Sequence, residues 1–198
     1  MQPDTLYPQA ALRSGWQGQL DRFIGPGATP AELVLQLVPS VGAAIAMPLY
    51  ASTLPIDWNP WQLGLIAILG FDLVGGVLTN ATAAAKRWYH RPGQGWQQHM
   101  IFVSVHLCHI GLVAWLFRGA DGFFFAAVSS YLLLASGLIL ASPLYLQRPV
   151  ALGLFGFGLM CDRYFFAPTP GLEWFLPLFF LKILVSHLLK ETAYRSGE

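Results

Sequence analysis

The chain has 198 residues, of which 55% are hydrophobic and 11% are charged, and its formal net charge is +1. Soluble domains carry about 25% charged residues, so this chain has too few charges to cover a surface that faces water. The composition therefore excludes an ordinary soluble protein, and the near-neutral charge without a Lys/Arg-rich run gives no indication of a nucleic-acid partner. We expect one helical domain surrounded by membrane lipids.

The first predicted element is a short amphipathic helix within the N-terminal segment 1–30. Leu12, Trp16, Leu20 and Phe23 recur at about four-residue spacing, and polar residues fill the rest of each turn. This pattern is typical of a helix that lies on a membrane surface, and packing against the helical domain is the alternative. The preceding residues 1–7 are polar, so we expect no secretory signal peptide.

Six membrane-spanning helices are predicted in the segment 31–190. Thr29 and Asn59 each precede a proline, and each is followed three residues later by Glu32 or Gln62, which is the pattern of a capping box. Apolar stretches near the roughly 20 residues that a membrane requires extend over about 31–54, 61–85, 98–117, 122–141, 150–167 and 171–190. The predicted fold class is an all-α integral membrane protein with a cytosolic tail at 191–198.

The basic residues predict the orientation of these helices. If the N-terminus is cytosolic, the cytosolic side carries eight basic residues and the other side two, excluding Lys182 inside the membrane. This is the asymmetry expected from the positive-inside rule, so both termini should be cytosolic. We expect a multi-pass protein of a bacterial inner (plasma) membrane. No internal repeat of the kind found in many transporters is visible.

The histidines gather in one part of the predicted fold. Four of the five lie between His90 and His109, and the fifth is His187. In the predicted topology all of them fall in the cytosolic half of the membrane, together with Asn80 and, near the middle, Asp72. Polar groups inside a membrane are costly and usually functional. We therefore predict a polar pocket between the second, third and sixth helices, open to the cytosol.

Metal binding is one possible use of this pocket. The imidazoles of His106, His109 and His187, with a carboxylate from Asp72 or Glu191, would provide a ligand set for zinc or iron. Such a metal would acidify a bound water molecule and so supply a nucleophile. The alternative is that these histidines form hydrogen bonds between helices.

Other residues are candidates for catalysis and substrate binding. The predicted catalytic residues are Asp72, Asn80, His90 and Glu191. Arg87 and Arg91 alternate with aromatic residues in the loop after the second helix, a pattern that suits a phosphate-bearing headgroup. Lys182 lies near the depth of Asp72 in the predicted topology, so we expect an ion pair between them.

Three functions are compatible with these features. The first is a membrane enzyme that acts on a lipid or another apolar small molecule. It would be a metal-dependent hydrolase or oxidoreductase. The second is a small proton-coupled transporter or channel. The third is an electron-transfer subunit that holds haem or quinone, with His106 or His109 facing His187. The sequence leaves these alternatives and the oligomeric state open.

Overall fold

The computed structural model describes residues 11–191, and all regular elements in this range are helical. The elements are α1 (Gly15–Ile24), α2 (Pro30–Ser52), α3 (Pro60–Ala81), α4 (Ala83–Tyr89), α5 (Trp96–Val105), α6 (Leu107–Leu116), α7 (Gly122–Ala141), α8 (Leu144–Phe165), α9 (Phe175–Phe180) and a π-helical segment (Leu181–His187). Helices α2, α3, α7 and α8, and α5 and α6 taken together, make five helices that are long and apolar enough to cross a membrane. This architecture is compatible with a multi-pass membrane protein.

The sixth predicted spanning helix is shorter than expected. We predicted a helix from about residue 171 to 190, but the chain forms turns up to Trp174 and then the 6-residue α9 and the 7-residue π-helical segment. Gly171 has a positive φ of 82°, and Leu172 donates its backbone N–H to Thr169 O. These turns delay the start of the helix, so five of the six predicted segments form helices that are long and apolar enough to cross a membrane.

The capping boxes are confirmed. Thr29 N donates to a Glu32 carboxylate oxygen at 2.7 Å, and Glu32 N donates to Thr29 Oγ1 at 3.2 Å. Asn59 and Gln62 exchange the same pair of hydrogen bonds, each at 3.0 Å. Both helices therefore begin where the sequence predicted, because the caps satisfy backbone donors that no helical carbonyl can reach.

The second predicted helix, 61–85, is interrupted at Thr82. Thr82 has an extended backbone with ψ of 151°, and its hydroxyl accepts a hydrogen bond from Ala85 N as the N-cap of α4. The other carboxylate oxygen of Glu32 accepts from Ala84 N at 3.1 Å. Tertiary and local hydrogen bonds thus stabilise a new helix start, and α4 forms as a separate helix after α3.

The third predicted helix, 98–117, is interrupted at His106. The His106 ring Nδ1 lies 2.7 Å from Phe102 O, which is the carbonyl that the backbone N–H of His106 would contact in an α-helix. That backbone N–H instead donates to Val103 O at 3.0 Å. The side chain therefore replaces the backbone as the partner of Phe102 O and separates α5 from α6.

The remaining helices differ little from prediction. Helix α7 has the predicted bounds. Helix α8 begins at Leu144 rather than at about residue 150, because the chain turns helical again directly after its N-cap Pro143. Helix α1 covers most of the predicted amphipathic segment. Residues 1–10 and 192–198, which include parts of the predicted terminal segments, lie outside the described range.

Helix α3 lies at the centre of the fold, where it packs against α2, α9 and the π-helical segment. The alternating helix directions place two sets of chain ends together. We call the end with α1, α4 and His187 the α1 side; Trp88 Nε1 there donates to Arg22 O at 3.1 Å. We call the end with the connections 53–59, 117–121 and 166–174 the opposite side; Gln62 Nε2 there donates to Leu116 O at 2.7 Å.

Candidate functional site

Two groups of polar side chains lie between α3, α4, α5, α6 and the π-helical segment. We call Asn80, His90, His99 and His187 the histidine cluster, on the α1 side. We call Asp72, His109 and Lys182 the ion-pair cluster, which lies further along α3 towards the opposite side. Asn80, His99, His187 and Lys182 are each 6% exposed or less, so water does not solvate these side chains.

Hydrogen bonds connect the members of the histidine cluster. His99 Nδ1 lies 3.2 Å from His187 Nε2, and His187 Nδ1 lies 3.4 Å from Asn80 Oδ1. His90 Nε2 lies 3.0 Å from the backbone oxygen of His187, and the His90 and His99 rings are 4.7 Å apart between centroids. The three imidazoles therefore converge from α5, the π-helical segment and the loop after α4.

The acceptors assign the ring protons. An amide oxygen only accepts, so the contact with Asn80 Oδ1 requires that His187 carries its proton on Nδ1. His187 Nε2 is then an acceptor, and His99 must donate from Nδ1. His99 Nε2 is then the ring nitrogen of His99 that carries no proton and can accept one. A proton that binds there converts the pair into a relay, because the Nδ1 proton of His99 can move to His187 Nε2.

The π-helical segment positions the last histidine. Its hydrogen bonds join residues five apart, as Leu188 N to Ile183 O does at 3.1 Å. Lys182 and His187 are also five residues apart, so they lie about one turn apart on a similar face. Phe102 stacks on His187 with 3.7 Å between ring centroids and an angle of 15°. These contacts hold the imidazole against α5.

Lys86 joins α4 to the end of the π-helical segment. It is 4% exposed, and its Nζ donates to Ser186 O at 2.7 Å and to Leu189 O at 2.6 Å. Burial lowers the pKa of Lys86 to about 8, although Glu191, 3.8 Å away, favours the charged form. The lysine therefore satisfies carbonyls that the helix end leaves free, and it places a titratable cation beside the cluster.

His90 follows α4, outside the long apolar helices, and its surroundings strongly perturb its pKa. Burial lowers its pKa to about 3, and repulsion from a protonated His99 and from Lys86 acts in the same direction. Its hydrogen bond to the His187 carbonyl opposes this shift only in part. His90 is consequently neutral at physiological pH and acts as a donor to the backbone of His187.

The ion-pair cluster is organised around one carboxylate oxygen. Asp72 Oδ2 lies 2.6 Å from Lys182 Nζ and 3.0 Å from His109 Nε2. The expected Asp72–Lys182 ion pair is therefore confirmed. Gly76 provides the space for it, because a Cβ there would lie 2.3 Å from Lys182 Cε. The opposite charges compensate each other, and His109 adds a second hydrogen-bond partner for the carboxylate.

Phe102 separates the two clusters. One face of its ring stacks on His187, and its centroid is also 4.3 Å from that of His106. His106 in turn stacks on His109, with 5.0 Å between centroids and an angle of 12°. The order of rings from the α1 side towards Asp72 is therefore His99, His187, Phe102, His106 and His109. Five aromatic or imidazole rings thus lead from the α1 side to the carboxylate.

The structure brings together some predicted site residues and not others. Asp72, Asn80 and His90 belong to the two clusters. Glu191 instead forms an exposed ion pair with Arg148, and Arg91 lies over the Trp88 ring, 3.6 Å from its centroid. Arg87 lies half-buried on α4. The candidate residues predicted from the sequence did not include His99. Its seven-residue spacing from His106, which places both on one helix face, was the signal that could have identified it.

The predicted metal ligands do not meet at one point. His187 is hydrogen-bonded to His99, His109 to Asp72, and His106 to a backbone carbonyl. Among residues 11–191, no group of three or more His, Cys, Asp or Glu side chains is arranged to hold a metal ion. The prediction of a zinc or iron site therefore has no support here, and the haem or quinone alternative stays a prediction.

No protein-family model, curated protein or solved structure matches this chain significantly. The geometry of the two clusters therefore carries the functional argument.

Proposed function

We propose that this chain is a multi-pass membrane protein that transfers protons between its α1 side and Asp72, as a small proton-coupled transporter or channel does. In this proposal the last apolar segment completes a six-span domain, both termini are cytosolic, and α1 lies on the cytosolic membrane surface. The excess of basic residues on the α1 side and the exposed Trp16 and Phe23 of α1 support this orientation.

The observation that carries the proposal is the buried hydrogen bond between two imidazoles, His99 and His187, on the same side of the helices as the half-buried carboxylate of Asp72. Imidazole accepts a proton on one nitrogen and releases one from the other, so hydrogen-bonded pairs suit proton relays. Ionisable side chains within membrane segments commonly mark such relays. Asp72, shared by Lys182 and His109, is the proposed end of the path.

The proposed transfer begins when a proton from the α1 side binds to His99 Nε2. The Nδ1 proton of His99 then moves to Nε2 of His187, which leaves His99 neutral and His187 charged. Phe102 separates His187 from His106 in this conformation, so the next step requires the Phe102 ring to turn aside. One proton then passes from His187 to His106 and on to Nδ1 of His109, which leaves His187 and His106 neutral again. His109 gives its Nε2 proton to Asp72, which becomes neutral, while Lys182 keeps its charge beside the protonated carboxyl.

Proton flux into proteoliposomes tests this function. Protein is reconstituted with a pH-sensitive dye inside the vesicles, and a pH gradient is applied with valinomycin and potassium to clamp the voltage. We expect wild-type flux well above that of empty vesicles, a loss of at least tenfold in Asp72→Asn and His187→Phe, and faster flux in Phe102→Ala. Flux equal to that of empty vesicles, or unchanged flux in folded Asp72→Asn, would contradict the proposal.

An enzyme that acts on lipids is the second candidate, because Lys86 places positive charge beside the imidazole pair. In this alternative His99 and His187 act as general base and acid on a lipid whose headgroup lies at the α1 side. Mass spectrometry of the lipids from the same vesicles distinguishes the two functions. Lipid turnover that His99→Phe abolishes, without proton flux, would favour the enzyme.

A further inference from the structure

A cavity of about 430 Å³ lies on the opposite side, away from both clusters. It is bounded by the end of α8, the start of α9 and the connections before α7 and after α8. Its volume falls within the range of about 300–1,000 Å³ that is typical of small-molecule sites. Phe124, Phe166 and Phe175 contribute aromatic walls, and its charged lining residues are Arg118, Asp162, Arg163 and Glu173.

Arg118 is already occupied by protein contacts. Its guanidinium donates to Asp121 Oδ2 at 3.1 and 3.2 Å, to Thr169 Oγ1 at 2.7 Å and to Ala167 O at 2.8 Å. It also lies over the Phe124 ring, 4.3 Å from the centroid. Asp121 compensates its charge, so Arg118 forms a fixed part of the wall and leaves recognition to other groups.

Asp162 differs from Arg118 because its carboxylate has no hydrogen bond or ion pair to any residue in the described range 11–191. The side chain is half-buried in the last turn of α8. A carboxylate in such a place loses hydration, which is costly. The charge of Arg118 acts on it without a direct contact and offsets only part of that cost. The C-terminal end of a helix also carries a partial negative charge, so both features favour a cation at this point.

We propose that this cavity binds an organic cation with an apolar body. The positive nitrogen lies against the Asp162 carboxylate, and the apolar part contacts the phenyl rings of the wall. Aromatic faces attract quaternary ammonium groups in addition to the carboxylate charge. Glu173 at the cavity adds a second negative charge, and the exposed Arg163 offsets part of it. The binding site is independent of the proton-transfer proposal.

Titration calorimetry with benzyltrimethylammonium tests the site in the full chain, purified in a nonionic detergent. We expect saturable binding of one cation per chain, weakened at least tenfold in Asp162→Asn. Asp57→Asn is the matched control, because Asp57 is an exposed carboxylate on the same side that does not line the cavity. It should bind as the wild type does. Neopentylbenzene, the uncharged isostere, should not displace the cation.

A second variant keeps the test decisive if Asp162→Asn fails to fold. Phe166→Leu retains an apolar side chain but removes an aromatic face, so we expect severalfold weaker binding of benzyltrimethylammonium. The proposal is overturned if the wild type shows no saturable binding, if the variants of Asp162 and Asp57 bind equally, or if benzenesulfonate competes as well as the cation does.

Discussion

The two sides of this molecule are built from the same kind of apolar helix but differ in how regular the helices are. On the opposite side, α7 begins at an Asp121 cap and continues without interruption for 20 residues. On the α1 side and near the middle, the helical pattern breaks at Thr82, at His106 and along the π-helical segment. All three irregularities lie beside the two clusters, and π-helical turns are frequent at functional sites.

This difference shows how a polar site is built within apolar helices. Each break replaces a regular backbone hydrogen bond with one that involves a side chain or a different register. The His106 ring binds Phe102 O, and Thr82 caps α4, so that Lys86 reaches the carbonyls of the last segment. Regular helices on the opposite side instead leave room for a cavity at their ends. The following variants test this contrast, from the largest expected effect to the smallest.

Asp72→Leu should destabilise the fold most. The change leaves Lys182, which is 3% exposed, as a buried cation without a counter-charge. Breaking one half of a buried ion pair typically costs about 3–5 kcal/mol, whereas replacing both halves with apolar residues costs far less. We expect Asp72→Leu/Lys182→Met to recover most of the loss in unfolding by SDS in mixed micelles. An equal loss in the single and double variants would show that the uncompensated charge is not the cause.

Gly76→Ala should destabilise the fold by about 1–3 kcal/mol, the usual cost of overpacking a core. The new Cβ would lie 2.3 Å from Lys182 Cε and 2.6 Å from Cδ, and Lys182 cannot withdraw without leaving Asp72. Gly64→Ala on the same helix is the control, since no atom lies within 4 Å of its added Cβ. It should be neutral or stabilising by up to about 1 kcal/mol. Equal effects of the two variants in the same unfolding assay would refute the close packing.

Arg118→Met should cost about 1–3 kcal/mol because it leaves Asp121, Thr169 and the Ala167 carbonyl without their shared donor. The same variant should leave proton flux unchanged, since Arg118 lies on the side away from the histidine cluster. Thermal unfolding and vesicle flux of one preparation measure both quantities. A parallel loss of flux, with the protein still folded, would show that the two sides are coupled.

His90 should make the folded state weaken in acid. Its pKa is lowered from the ordinary 6.5 to about 3, so between these values the unfolded chain binds a proton that the folded chain does not. Stability therefore falls as the pH falls through this window, by at most about 1.4 kcal/mol per pH unit for one group. The slope should be smaller in His90→Gln. An identical slope in the variant and the wild type would assign the acid sensitivity elsewhere.

Local sequence patterns predicted the helix starts well, because the caps of α2 and α3 depend on residues within one turn. The Asp72–Lys182 pair was predictable because an unpaired charge within an apolar helix is costly, and these two opposite charges lie at a similar depth. The breaks at Thr82 and His106 were not, because they depend on competition between a side chain and the backbone for the same partner. The link from His187 to His99 depends on the π-helical register, which shifts the position of every side chain along the segment.

Nitrogen-15 NMR of histidine-labelled protein in nanodiscs tests the central claim most directly. His90→Gln, His106→Gln and His109→Gln assign the signals, and the measurement observes the protonation state of both ring nitrogens of His99 and His187 as the pH is lowered. We predict that each ring carries its proton on Nδ1 when neutral, and that uptake of one proton changes both rings together, because the pair titrates as a unit. Independent titration of the two rings, or protons on Nε2 of both, would contradict a proton relay through this pair.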